Sequence, residues 1–551
     1  MAFEELLDQV GVGRFQIREM VFFLVSIAVM YPQVLLENFI AVIPDHRCWV
    51  HILDNDTLSA NDTVILSPDA LLRISIPLDS NMRPEKCRRF LHPQWQLLNL
   101  NGTFPNMSEM NTEPCMDGWV YDRSTFPSTI VTEWDLVCEF QSFKSVAQFV
   151  FMVGGLLGGL IYGHFSDRFG RKLLLSCCFL QLAISGTCVA FAPNFLIYCA
   201  LRFLAGFSTT TIITNTFILM SEWTVPRFQA MEISLLFSGF SIGQILLAGA
   251  AFAIQDWRTL QLTIAVPVFV LFVSSRWLAE SARWLIITNN LNEGLKQLQR
   301  AAHINGRKDI GETLNLMCVR TIMQKEMNAG RMQASVFDLF RIPKLRLRIY
   351  YLSFVRLAIQ LSYFGMVLNL QHWGGNIFLS QVLFGAVSLP ARYVVPLTLN
   401  YMGRRINQLL FMFMMGLCIL VTVFVPQEMR TLRVALAVLG AGAFGVVSTS
   451  SSIHHQELIP TVCRATAGGI NSMASRCGAV IAPLLMILVV YSAPLPWIIY
   501  GVLPILAGLV VLLLPETRNQ PLPDIFQDVE NDRRDSRKAE QAETSMKVTQ
   551  F

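Results

Sequence analysis

Charge is what this sequence has least of. Asp, Glu, Lys and Arg make up 15% of its 551 residues, where a soluble domain carries about 25%. That deficit excludes a string of ordinary soluble domains, and a net charge of only +4 carries no nucleic-acid signature. Other absences narrow the function. No Gly-rich P-loop is present, so ATP-driven pumping has no support. No Cys or His residues stand at metal-ligand spacing, since His454 and His455 are adjacent and fall on different faces of a helix. No metal and no cofactor are therefore expected. No nucleophile, base and acid come together, so an enzyme is not expected. No acidic pair lies deep in an apolar run, which argues against proton coupling. No cleavable signal peptide is evident, because the first apolar run is long and follows a charged amphipathic stretch from Glu4 to Glu19.

What is present is apolar. Hydrophobic residues make up 53% of the chain. They gather in runs at 20–44, 143–163, 173–192, 195–220, 230–253, 258–278, 349–370, 377–400, 408–425, 431–453, 465–490 and 495–514. Each is near the ~20 residues that cross a bilayer as a helix. The expected fold is an all-α membrane protein of twelve transmembrane helices. Its divisions are an amphipathic N-terminus (1–19), a first span (20–44), a large loop (45–140), spans two to six (141–278), a linker (279–346), spans seven to twelve (347–514) and a tail (515–551). The tail is polar and mixed in charge, which predicts disorder.

The long loops fix the expected orientation. The first holds four sequons, at Asn55, Asn61, Asn101 and Asn106, and four cysteines, Cys48, Cys87, Cys115 and Cys138. That combination fits a glycosylated, disulfide-bonded exoplasmic domain, and four cysteines allow three connectivities. The short loops after runs two and eight carry Arg168, Arg171 and Lys172, and Arg404 and Arg405. The short loops after runs three, seven and eleven carry no Lys or Arg. By the positive-inside rule both termini and the 279–346 linker are expected to be cytosolic. Leu291, Leu295 and Leu298, then Leu314, Met317 and Ile322, predict short amphipathic helices in that linker.

The two halves of the chain echo each other. Gly170-Arg171-Lys172 recurs as Gly403-Arg404-Arg405, an offset of 233. Glu222, with Arg227 after it, recurs as Glu457 with Arg464, an offset of 235 between the glutamates. Glu280-Ser-Ala-Arg283 recurs as Glu516-Thr-Arg518, an offset of 236. This predicts two six-helix halves related by an axis along the membrane normal, enclosing a midplane site and rocking to expose it alternately. Gly170 permits a tight turn where the chain re-enters the membrane. Asp167, beside Arg168 and Arg171 and near Glu222 and Arg227, is expected to form a charge network that locks the outward-open state and breaks when the halves rock.

These motifs resemble those of the major facilitator superfamily, and within it the organic anion transporters of solute carrier family 22. The resemblance rests on Gly163-x-x-x-Asp167-Arg168-x-Gly170-Arg171-Lys172, Glu280-Ser-Ala-Arg-Trp-Leu285, Leu514-Pro-Glu-Thr-Arg518 and the four-cysteine first loop. Met1-Ala-Phe and Leu36-Glu-Asn-Phe39 add to it, and the stretch Leu71 to Arg89 and the Lys-Val-Thr-Gln-Phe end resemble the renal steroid-conjugate branch beside the urate transporter.

Ionisable residues inside the runs are mostly cationic. Arg476 lies about twelve residues into its run, ~18 Å deep, near the bilayer centre. Arg392 and Arg356 lie less deep. A guanidinium without a carboxylate partner favours an anion, since it grips a carboxylate or sulfate with two parallel hydrogen bonds. The rival for Arg356 and Arg392 is snorkelling to the interface or pairing with backbone carbonyls. Arg202 is read as a packing and gating residue.

The resemblance adds that family anion carriers have basic residues at the places of Arg392 and Arg476, where the cation branch has an acid at the latter. It implies an aromatic pocket from Phe237, Phe240, Tyr363 and Phe364, with Ser448 and Ile359 where the urate-type pocket has phenylalanines. Urate is therefore not the expected substrate, and Ser448 is a candidate hydrogen-bonding residue. The expected function is exchange of steroid sulfates or glucuronides and bile acids for intracellular dicarboxylates, at the plasma membrane, with an apical position in kidney proximal tubule implied by resemblance alone. The rivals are an organic cation or zwitterion carrier of the same fold, which Arg476 opposes, and a non-transporting receptor or scaffold, which the repeat opposes.

Overall fold

The computed structural model describes residues 2–54, 67–79, 82–98, 111–307, 340–426, 428–460 and 463–518. All four sequon asparagines, Asn55, Asn61, Asn101 and Asn106, lie outside the described residues, as do Leu314, Met317, Ile322 and the tail from 519.

Twelve described helices have seventeen residues or more. They are α1 Arg14–Met30, α2 Ser142–Phe169, α3 Arg171–Val189, α4 Phe195–Trp223, α5 Pro226–Ala253 and α6 Trp257–Ser274. Then come α7 Pro343–Val367, α8 Ile377–Met402, α9 Arg404–Phe424, α10 Arg430–Leu458, α11 Arg464–Leu485 and α12 Leu495–Val511. Ten stretches among the described residues are long and apolar enough to cross a membrane. The expected twelve are reduced by α7, which opens with Lys344, Arg346 and Arg348 and holds Arg356, and by α12, apolar but only 17 residues long.

The first span starts earlier than its apolar run. It covers Arg14–Ile40 rather than 20–44. Its charged opening turns are tolerated because their partners are at hand: Glu19 is 2% exposed and pairs with Arg18 at 3.1 Å, and Phe15 meets the Trp223 ring edge-on at 4.8 Å. The helix is interrupted at Tyr31, before Pro32, whose ring nitrogen has no hydrogen to donate.

The chain divides into two compact units. The smaller comprises residues 39–144 and 254–260. Strand β1 (His46–Cys48) pairs antiparallel with β4 (Trp119–Tyr121), and β2 (Arg88–Phe90) with β3 (Thr112–Pro114). Two-stranded ribbons are marginal alone. Disulfides Cys48–Cys115 and Cys87–Cys138 staple them, which selects one of the three connectivities. His46, Cys87 and Cys138 cluster within 4.8 Å, but both sulfurs are consumed in a bridge. Arg47 grips both oxygens of Asp54, at 2.8 and 2.6 Å.

In the larger unit the first of the two expected linker helices forms as the leucine spacing predicts. Leu291–Ile304 buries Leu298, Ala301 and Ala302. Just beyond it, Asn305 accepts from the Phe15 amide at 3.0 Å and donates to the Gly11 carbonyl at 2.8 Å. That bond pair ties the linker to the start of α1.

The sequence repeat is also a repeat of contacts. Gly170 and Gly403 adopt φ of 102° and 77°, a region that favours glycine. Each starts a helix, α3 or α9, whose first amides need acceptors. Glu280 accepts from the Arg171 and Lys172 amides, at 3.1 Å each. Glu516 accepts from the Arg404 and Arg405 amides, at 2.9 Å each. Arg171 then reaches Glu222 at 3.4 Å, and Arg404 reaches Glu457 at 2.8 Å.

Candidate functional site

Three arginines enter the helices of the larger unit. Arg476, on α11, bonds the Thr214 hydroxyl of α4 through Nη2 at 2.8 Å. Its guanidinium lies against Gly159 of α2, where a β-carbon would overlap it. Arg392, on α8, donates to the Phe237 carbonyl of α5, and its Cζ lies 5.3 Å from the Phe237 ring centroid. Arg356, on α7, donates to the Ser448 carbonyl at 3.3 Å and to the Ser452 hydroxyl. With the Asn471 amide oriented so that its nitrogen donates to the Leu352 carbonyl, its oxygen accepts from the Arg356 Nε at 3.2 Å. Among the described residues none of the three forms an ion pair with a carboxylate. Each therefore keeps its full charge facing protein dipoles alone, an arrangement that suits a bound anion.

Rings gather beside Arg392, which lies against Phe237. Tyr363 stacks on Phe444 with centroids 3.6 Å apart and planes 10° apart, and Phe364 meets Tyr363 edge-on at 5.6 Å. The Tyr363 and Tyr31 hydroxyls are 3.4 Å apart. Tyr31 leans on Phe240 at 4.9 Å, and Phe237, Phe240 and Phe217 form a trio with centroids 5.1 to 6.3 Å apart. The structure thus joins Phe237 and Phe240 to Tyr363 and Phe364 through Tyr31. Tyr31, Phe217, Phe444 and Thr214 escaped the sequence reading. Their signal, an aromatic or hydroxyl residue in an apolar run, is shared by many core residues. Ser448 contributes its backbone carbonyl to Arg356 rather than a side chain to the ring cluster.

The remaining motif residues lie away from this cluster. Asp167 bonds Arg171 at 3.0 Å, and Arg171 continues to Glu222. Arg168 lies over Phe169, 5.5 Å from the ring centroid. Arg227 falls in the first turn of α5, its side chain outside the described residues. Arg283 falls in the Ala282–Ile287 helix. Arg464 opens α11 and bonds the Ile459 carbonyl at 3.3 Å. Burial pushes the Glu280 carboxyl above its ordinary range. For Glu516 burial acts the same way, but four backbone N–H bonds outweigh it and hold the carboxyl below that range.

Two further hydrogen bonds join the first and second halves of the sequence. Asn38 donates to the Val367 carbonyl at 2.8 Å, and Gln148 to the Leu368 carbonyl at 3.5 Å. At the opposite end, the Arg171–Glu222 and Arg404–Glu457 pairs each stay within their own half of the sequence.

A sequence profile of the Major Facilitator Superfamily matches residues 128–483. A steroid transmembrane transporter of Equus caballus is 64% identical, aligned over 100% of both chains. The human solute carrier family 22 member 10 is 59% identical, over 97% of this chain and 99% of that one. The chain belongs to the major facilitator superfamily and, within it, to solute carrier family 22. Among solved structures, the partially occluded, inward-open xylose transporter XylE of E. coli matches with a TM-score of 0.55 at 17% identity, covering 70% of this chain and 90% of that one. That likeness is one of fold. This family 22 member is an all-α, multi-pass membrane carrier, and not an enzyme. The human steroid transmembrane transporter is a further relative, 62% identical over 100% of both chains.

Proposed function

We propose that this family 22 carrier moves organic anions, chiefly steroid sulfates, steroid glucuronides and bile acids, in exchange for intracellular dicarboxylates. The observation that carries the reading is the set of Arg356, Arg392 and Arg476, inside helices and, among the described residues, without carboxylate partners, together with a cluster of stacked rings that Arg392 adjoins at Phe237. Arg476 and Arg392 hold the anionic group, and Phe237, Phe240, Tyr363 and Phe364 lie against the apolar body. Two relatives whose names specify steroid transport support the substrate class.

In this reading α7 and α12 also span, completing two six-helix bundles. Both termini are cytosolic, the first loop is exoplasmic and glycosylated, and the carrier works in the plasma membrane. The bonds from Asn38 and Gln148 close the exoplasmic end, while the ion pairs at the other end do not cross between bundles. The state is inward-facing, and rocking of the bundles exposes the site alternately. The apical membrane of kidney proximal tubule is the proposed location.

The test is uptake of labelled estrone sulfate into cells expressing the protein, with and without glutarate preloading. Uptake that preloading accelerates supports the exchange. Strong uptake of a quaternary ammonium with none of estrone sulfate overturns the substrate class.

A further inference from the structure

A polar cluster where α7, α10 and α11 meet is larger than one arginine needs. Ser448, Ser452 and His455 fall at i, i+4 and i+7 of α10 and so share one face of that helix. Gly468 and Asn471 are three apart on α11 and share a face there. Arg356 reaches between them and bonds Ser448, Ser452 and Asn471. A guanidinium has five N–H groups in one plane, so three such bonds leave two.

His455 is 6% exposed, and neither ring nitrogen has a hydrogen-bond partner among the described residues. Buried polar groups in folded proteins are almost always bonded, so an unbonded one calls for an occupant. There is room for one. A β-carbon built on Gly468 would meet only His455 Nε2, at 3.9 Å. The glycine thus leaves a gap on the open side of the imidazole. The charges of Arg356 and Arg464 both bear on this ring, and among the described residues no carboxylate pairs with Arg356 to cancel its charge. The field in the gap is positive.

Its position along the helices is defined. Arg356 is seven residues from Tyr363 on α7, and Ser452 is eight from Phe444 on α10. Both separations are about two turns, ~10–12 Å, away from the stacked rings and toward the Arg404–Glu457 end.

We propose that Arg356, Ser452, His455 and Asn471 form a second oxyanion subsite, which takes a carboxylate of the dicarboxylate counter-ion. The proposal rests on the anion-exchange reading above. Arg356 supplies its two remaining N–H groups and His455 an imidazole N–H, while Gly468 keeps the space clear. A dicarboxylate has two anionic ends and uses both this subsite and the arginines nearer the rings. A steroid sulfate has one anionic end and depends on this subsite far less.

The experiment uses the purified full-length protein in detergent, with thermal stabilisation measured against glutarate and against estrone sulfate. His455→Phe keeps the ring shape and removes both nitrogens. Gly468→Leu fills the gap and leaves every polar group in place, so it serves where His455→Phe does not fold. Each variant is expected to raise the glutarate concentration for half-maximal stabilisation about tenfold, and to shift the estrone sulfate value at least about fivefold less. Equal shifts for both ligands, or no shift for glutarate, overturn the subsite. A wild type stabilised by estrone sulfate and not by glutarate also overturns it and leaves the carrier reading standing. A wild type stabilised by neither overturns both.

Discussion

Arg202 of α4 and Glu37 form an ion pair, Nε to Oε1 at 3.1 Å, in which each side chain is only 1% exposed. The guanidinium also donates to the Gln33 carbonyl from both Nη atoms, at 3.2 and 3.3 Å, and lies 4.3 Å from the Phe151 ring centroid. Removing one partner of such a pair leaves a buried charge and costs about 3–5 kcal/mol. Arg202→Ala is expected to lower Tm sharply and to lose surface expression. Combining Glu37→Gln with Arg202→Met is expected to recover part of that loss, because no lone charge is then buried. A double variant less stable than both singles would refute this account.

Arg476 rests on Gly159, so its position depends on an absent side chain. Gly159→Val displaces the guanidinium and is expected to mimic Arg476→Ala, with estrone sulfate uptake reduced at least about tenfold at matched surface level. Arg476→Lys keeps the charge and loses the planar fork, so its uptake falls between those of wild type and Arg476→Ala. Transport kinetics across the four proteins decide this. Normal uptake by Gly159→Val would separate Arg476's position from function.

The disulfide pairing makes a thermodynamic prediction. Cys48→Ser, Cys115→Ser and the double variant each remove the same bridge and are expected to lose the same stability, about 2–5 kcal/mol in the loop domain. Cys48→Ser with Cys87→Ser removes both bridges and adds a second loss of similar size. Melting curves of the four variants give the answer. Additive losses from Cys48→Ser and Cys115→Ser would show that they are not partners.

The same domain is predicted to loosen in mild acid. Burial holds the His46 imidazole below its ordinary value of 6.5. Nδ1 donates to the Pro44 carbonyl at 2.9 Å, and Nε2 is buried with no partner among the described residues. The folded domain therefore binds the second ring proton less well than the unfolded chain. Stability is full above about pH 6.5 and falls as pH drops from there through the folded value. Protection of the peptide holding His46–Cys48, taken as its hydrogen-exchange rate relative to the intrinsic rate at each pH, is expected to weaken as pH falls below about 6.5. His46→Phe should lose most of that dependence, and an unaltered dependence would assign it to other groups.

Much of this architecture is legible in the sequence because it is written in local patterns. Apolar runs set the helices, the leucine spacing sets the Leu291–Ile304 linker helix, and three spaced motifs announce the repeated contacts at Gly170 and Gly403. What escapes is set by approach across the chain. Glu37 and Arg202 are 165 residues apart, and Arg476 and Thr214 are 262 apart. No periodicity joins such residues, so each reads singly as a costly charge or an ordinary threonine. The early start of α1 escapes for the same reason, since Glu19 looks solvent-facing until Arg18 and its surroundings are in place.

Glu516 stands beyond the last long helix, α12, which ends at Val511. It nevertheless completes the start of α9, more than a hundred residues upstream, by accepting the Arg404 and Arg405 amides. A stop codon between these two points would spare every membrane-crossing segment and still deprive α9 of its cap. A gene product shortened to residue 515 should therefore be degraded while one ending at 518 reaches the membrane, so the end of the hydrophobic sequence is a misleading guide to where this coding region can be cut or tagged.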